Sequence, residues 1–293
     1  MTALLAVVMV IALGTWIPLA QLVPGTPERS RIFYLALGNV VFAGLALLVS
    51  GAGITFGWRT FWLPLAGGMV WAAGNYCVFR ASRTIGLAVA AGIWTPLNIV
   101  VAFGWGALLF GELDGFSGAR FAVLGGAFLV VVAGVLLIAG SRNDSSKPRP
   151  IAARVGLLWA VGAGILWGSY FVPAQWAAVP SQVSNFPLAL GILVGAVALA
   201  FPAGEPVKLG LRAASAQVGA GGLFGLGNLL LLALVARVGT GTGFTIAQLS
   251  LAVNAAIGIW VLHVPEPGTR QARRVLTGIA VAGIGGCVIA AMR

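Results

Sequence analysis

The stretch Ser141-Arg-Asn-Asp-Ser-Ser-Lys-Pro-Arg-Pro150 is the most polar run in the chain, and it parts the sequence into two similar halves. Its Ser, Asn, Asp and Pro residues favour turns and interrupt apolar helices. On either side lie apolar segments long enough to cross about 30 Å of hydrocarbon, which takes about 20 residues. Five precede the linker, at 3–22, 32–50, 61–79, 85–110 and 121–140, and five follow it, at 154–176, 183–202, 214–235, 241–262 and 275–292. The sequence therefore predicts an all-α membrane protein of ten transmembrane helices. Residues 1–140 form a first five-helix unit, 141–153 a cytoplasmic linker, and 154–293 a second unit. The first segment has no Lys or Arg before it and outlasts a signal-peptide core, so it reads as a span rather than a cleaved leader.

Composition agrees. Of 293 residues, 60% are apolar and 8% charged, against about 25% charged in soluble proteins. A soluble enzyme, a disulfide scaffold and a disordered chain are excluded. The net charge of +11 comes from 17 Lys and Arg scattered between spans, which form no basic face for nucleic acid. Cys77 and Cys287 are lone thiols inside apolar segments, with no metal-binding spacing. No cofactor or metal is called for. No Ser/His pair, HExxH motif or membrane Asp pair marks an intramembrane enzyme.

The halves resemble each other at an offset of 153 residues. Ala36-Leu37-Gly38 matches Ala189-Leu190-Gly191, Gly74-Asn75 matches Gly227-Asn228, and Gly86, Gly115, Arg120 and Gly125 match Gly239, Gly268, Arg273 and Gly278. In total 8 of the 21 first-half glycines fall on a glycine, where glycine content alone gives about 3. An odd number of spans per copy inserts the second copy upside down, the inverted repeat of alternating-access carriers. The faces are unequal in cations. Arg59, Arg120, Arg237 and Arg293 lie on the face of the termini and the other 13 opposite, so both termini are predicted outside and the linker in the cytoplasm. The membrane is the plasma membrane, a bacterial inner membrane if the source is prokaryotic.

All six acids lie in or beside loops. Without a mid-membrane carboxylate, a cationic substrate and central proton coupling are disfavoured; Glu112, Glu266 and His263 remain as coupling candidates at the rims. The span interiors instead carry neutral polar groups beside aromatics. Trp71 and Asn75 share a helix face, as do Phe224 and Asn228. The fourth span holds Trp94, Thr95 and Asn98, the sixth Trp167, Ser169 and Tyr170, the first Thr15 and Trp16, and the ninth Gln248 and Asn254. Flat rings stack on C–H faces while amides read hydroxyls, which suits a small, uncharged, hydroxyl-rich solute. The same polar groups also join helices. Pro18, Pro96 and Pro173 remove backbone hydrogen bonds within spans and are candidate hinges or gates.

Phe110-Gly-Glu-Leu113 with Gly125 and Gly134 beyond it resembles the drug/metabolite transporter superfamily over essentially the whole chain. Glu266, in His263-Val-Pro-Glu-Pro-Gly, stands one position out of register with Glu112. Gly168-Ser-Tyr-Phe-Val-Pro173 and Phe244-Thr-Ile-Ala-Gln248, continuing to Asn254, are similar to the glucose/ribose porter and rhamnose transporter group. Gly14-Thr-Trp16 with Pro18 is similar, more distantly, to ureide permeases. The resemblance implies a secondary transporter for a small neutral solute, a sugar first, and proton symport as that group's common mode. Export of amino acids or other metabolites and a ureide-type permease are the alternatives. A homodimer is compatible with the sequence.

Overall fold

A computed structural model describes residues 2–23, 25–53, 55–85, 87–115, 117–139, 150–200, 208–263 and 266–291. Most of the linker, with Arg142, Lys147 and Arg149, lies outside the described residues, as do Gly86 and Arg293. All regular structure among the described residues is helical. The first half comprises α1 (Thr2–Gln21), α2 (Glu28–Ser50), α3 (Leu63–Ile85), α4 (Leu87–Leu108) and α5 (Gly118–Ala139), with one π-helical turn, Trp58–Trp62, leading into α3. The second comprises α6 (Pro150–Trp167), α7 (Val172–Trp176), α8 (Ser181–Ala200), α9 (Leu211–Val238), α10 (Thr240–Ala247), α11 (Ser250–Trp260) and α12 (Arg270–Ala291). Helix α6 begins at Pro150, inside the stretch read as linker; a first-turn proline gives up no helical hydrogen bond.

Among the described residues six stretches are long and apolar enough to cross a membrane: Thr2–Gln21, Arg29–Ser50, Arg154–Trp176, Ser181–Leu199, Leu211–Val238 and Thr240–Trp260. Ile93–Leu108 and Gly118–Gly134 are apolar but shorter. The chain is a multi-pass membrane protein. Two crossings are broken. Residues 168–171 form turns between α6 and α7, and Pro173 stands in the first turn of α7. Gln248 and Leu249 separate α10 from α11. Helix α4 by contrast runs through Pro96, and α1 through Pro18 to its last turn.

Packing repeats between the halves. Helix α2 lies on α9 as α8 lies on α3, and α1 lies on α9 as α6 lies on α3. Helix α1 meets α11 as α6 meets α4, while α5 pairs with α12 and α2 with α8. Glycines set the closest approaches. A Cβ on Gly38 would overlap the Val218 carbonyl, and one on Gly221 the Leu35 carbonyl; at the α3–α8 seam Gly191 abuts Leu65 and Gly68 abuts Leu188 in the same way. Small residues admit such backbone contact. Chain directions follow from the same contacts. Gly134 faces Gly278 and Ala282 while Gly285 faces Ala127 and Val131, so α5 and α12 run antiparallel.

The loop ends also repeat, at an offset of 152. Leu109 and Phe110 N–H donate to the Trp105 carbonyl, as Val261 and Leu262 donate to Ile257. Gly111 (φ 62°) and His263 (φ 55°) then occupy the same left-handed position. Ser117 and Thr269 cap α5 and α12 through the Arg120 and Ala272 N–H groups. By this offset Glu266 stands two positions beyond the place equivalent to Glu112, not one.

Candidate functional site

A chain of aromatic rings runs through the centre, contributed by five helices. Trp16 (α1) meets Phe224 (α9) edge-on with centroids 5.4 Å apart, and Phe224 meets Trp71 (α3) at 4.8 Å. Trp71 stacks on Trp167 (α6) at 5.8 Å and 19°, and Trp167 meets Trp94 (α4) at 6.2 Å. Trp167 Nε1 donates to the Trp71 carbonyl (3.2 Å), which fixes the ring on the α3–α6 seam. The i, i+4 spacing read from the sequence puts Asn75 one turn beyond Trp71 and Asn228 one turn beyond Phe224. Asn75, Thr95 and Asn98 are buried, and Asn98 Oδ1 has no hydrogen-bond partner.

Asn228 anchors a second group. The Tyr170 hydroxyl donates to its Oδ1 (2.9 Å), and its Nδ2 donates to Asn185 Oδ1 on α8 (2.9 Å). Tyr170 reaches this position because the helix stops at Trp167, and the turns that follow let Tyr170 and Phe171 flank Phe244 of α10.

The other predicted residues are placed differently. Thr15 and Ser169 hold equivalent positions and donate back to the Ile11 and Ile165 carbonyls of their own helices (2.7 and 2.8 Å). Ser169 also accepts from Trp105 Nε1 (2.8 Å). Gln248 lies in the α10–α11 break and Asn254 one turn into α11, both half-buried. His263 and Glu266 are exposed in the turn before α12.

Glu112 joins the two halves. The left-handed Gly111 turns the chain back so that Glu112 N–H donates to the Gly106 carbonyl (3.0 Å). Its carboxylate then accepts from the backbone N–H groups of Thr240 and Gly241, the latter at 3.0 Å, at the start of α10. An anion there satisfies orphan N–H groups and opposes the helix dipole. Among the described residues no three His, Cys, Asp or Glu side chains converge to hold a metal.

Sequence reasoning passed over Asn39, Asn185 and Gln217, all buried. Gln217 Nε2 donates to the Ala20 carbonyl (2.8 Å), securing the end of α1. The available signal was an amide inside a span; unlike Asn75, none of the three recurs in the other half beside an aromatic ring.

A family model described as sugar transport protein matches residues 4–292. The chain belongs to that family. It is a transporter, not an enzyme. Among similar proteins, one of Enterococcus faecalis named for ribose uptake, RbsU, is 27% identical over 85% of each chain. A protein of Lactiplantibacillus plantarum named for sugar uptake is 24% identical over 100% of both. The glucose uptake protein GlcU of Bacillus subtilis is 24% identical over 76% of this chain and 74% of its own. A solved crystal structure shares the fold, with TM-score 0.68 and 17% identity over 97% of this chain and 95% of that one.

Proposed function

We propose that the protein is an alternating-access carrier that moves a neutral sugar across the plasma membrane. Ten crossings, with α6–α7 and α10–α11 each counted as one, form two inverted five-helix repeats. The reciprocal glycine contacts and the antiparallel α5–α12 pair support the inversion. The observation that carries the site assignment is the ring chain Trp16–Phe224–Trp71–Trp167–Trp94, drawn from both halves and bordered by amides. A pyranose or furanose presents C–H faces to such rings and hydroxyls to Asn75, Asn98 and Asn228. Relatives named for ribose and glucose uptake support the substrate class.

The breaks at 168–171 and 248–249 let parts of a crossing move without unfolding the rest. Pro173 sits beside the first break, and Pro18 and Pro96 weaken α1 and α4 at their own hydrogen-bond gaps. With Glu112 engaged at α10, facilitated diffusion is the favoured mode. Both termini face outside and the linker the cytoplasm. Purified protein in proteoliposomes is given labelled ribose, glucose, an amino acid and a ureide, with and without a pH gradient. Saturable sugar entry, indifferent to the gradient, is expected. Entry of the amino acid or ureide alone would overturn the substrate class, and gradient-driven accumulation would overturn facilitated diffusion.

A further inference from the structure

The halves pack alike, but their polar content differs, and the difference falls on two asparagines. Asn39 of α2 is 0% exposed, and neither its Nδ2 nor its Oδ1 has a hydrogen-bond partner. A Cβ on Gly225 would come within 2.7 Å of that Oδ1, and Gly225 lies one turn before Asn228. Asn185 is 1% exposed; its Oδ1 serves Asn228, and its Nδ2 has no partner. Unpaired buried amides are costly, more so where no water competes.

Helix packing does not require them. The glycine contacts superpose α2 on α8 at an offset of 153: Gly221 meets the Asn39 backbone N–H as Gly68 meets that of Ile192. By this register Asn39 corresponds to Ile192 and Asn185 to Ile32, both buried. The same interhelical seams are thus closed by isoleucine in the other copy. Around Asn75 the equivalents of Asn39 and Asn185 are apolar, and Tyr170 is replaced by Trp16, the residue aligned through Thr15 and Ser169. At these paired positions the unpaired amide groups of Asn39 and Asn185 therefore fall on the α2–α8–α9 side, while the unpaired Asn98 Oδ1 belongs to α4.

We propose that Asn185 and Asn39 are specificity-determining residues of the sugar site and that the sugar binds off-centre, toward α2, α8 and α9. This rests on the carrier reading above. Tyr170 and Asn185 fix the Asn228 amide with its oxygen occupied, so Asn228 and Asn185 present N–H donors. The side of the sugar that they meet must offer lone pairs: hydroxyl oxygens or the ring oxygen. Asn39 offers both a donor and an acceptor, the pairing a free hydroxyl makes.

The test compares each transported sugar with its monodeoxy analogues. Wild-type protein discriminates against the analogue lacking the hydroxyl read by Asn185 by about tenfold in KM, the value of one buried hydrogen bond. Asn185→Ala and Asn39→Leu each bring the ratio near one for one analogue only and leave the others unchanged. Tyr170→Phe, which retains the ring and frees the Asn228 amide to turn, narrows the Asn185-dependent ratio and provides the reading if an asparagine variant fails to reach the membrane. A uniform rise in KM for every analogue, or unaltered ratios in all folded variants, overturns the proposal while wild-type sugar uptake keeps the carrier reading intact. Absence of sugar uptake by the wild type overturns both.

Discussion

Replacing Glu112 by Gln tests whether this acid is a latch between the halves. In the structure its two carboxylate oxygens each accept one N–H from the first turn of α10. Gln supplies one acceptor; its amide N–H2 then faces the second donor, and the charge opposing the helix dipole is lost. A hydrogen bond to a charged group contributes about 1.5–3 kcal/mol, so the α10 start should open about 10- to 150-fold more readily. Hydrogen exchange read by mass spectrometry on peptides covering 239–247 measures this directly. Exchange there should accelerate by that factor, with peptides from α8 and α12 unchanged. Asp114→Asn, two residues away and exposed, should leave α10 as in the wild type. Unchanged protection of α10 in Glu112→Gln would refute the latch. A pH-independent uptake profile arising together with unchanged protection would return Glu112 to the coupling role read from the sequence.

Asn75→Ala should reduce sugar uptake at least tenfold while the folded protein accumulates normally, as judged by size-exclusion chromatography; full uptake would make the residue packing glue. Gly221→Ala drives a Cβ into the Leu35 carbonyl, with the Asn39 N–H 2.9 Å away, and should cost about 1–3 kcal/mol in detergent unfolding. Gly222→Ala, with nothing within 4 Å of its Cβ position, should be neutral or stabilising by up to about 1 kcal/mol. A reporter active only in the cytoplasm should work when inserted in the linker and fail when fused after Arg293.

The gross design was legible because bilayer crossing imposes a length and composition on each segment. The break before Pro173 was half legible: Gly168-Ser169 ahead of Pro173 marked a candidate hinge, yet Gly14-Thr15 ahead of Pro18 carries the same mark and α1 stays continuous. The break at Gln248–Leu249 carried no such mark: neither residue opposes helix formation. It falls 152 positions after Pro96, and there the two copies differ, a proline within a continuous helix in one and a discontinuity without proline in the other. The register drift from 153 to 152 by the end of the fourth crossing was hidden because chance matches, such as Arg120 with Arg273, sustain the longer offset. The carbonyl bonds to Trp105 and Ile257, the left-handed Gly111 and His263, and the caps at Ser117 and Thr269 reveal the shorter one. The role of Glu112 was illegible for a different reason. Its partners lie 128 and 129 positions away, and the loop that presents it takes its shape from Gly111.

Two-fold symmetry and substrate recognition make opposing demands on this sequence. The proposed alternating-access cycle requires inward-open and outward-open states of near-equal energy, for which the reciprocal glycine contacts supply equivalent helix seams. A sugar has no two-fold axis, so a site that reads its hydroxyls gains by being unequal. The chain separates the two demands by position. The glycines of the helix seams, Gly38 and Gly191, Gly68 and Gly221, are kept the same, while side chains on the same helices diverge, Asn39 from Ile192 and Asn185 from Ile32. The rings fall between these extremes: Trp71 and Phe224 are equivalent in place and in kind, as a flat face demands, but differ in size. If the asparagines served packing, exchanging Asn39 and Ile192 would unsettle both seams alike. If they serve recognition, the exchange should preserve the fold, carry the unpaired amide to the opposite seam, and change which deoxy sugar is refused.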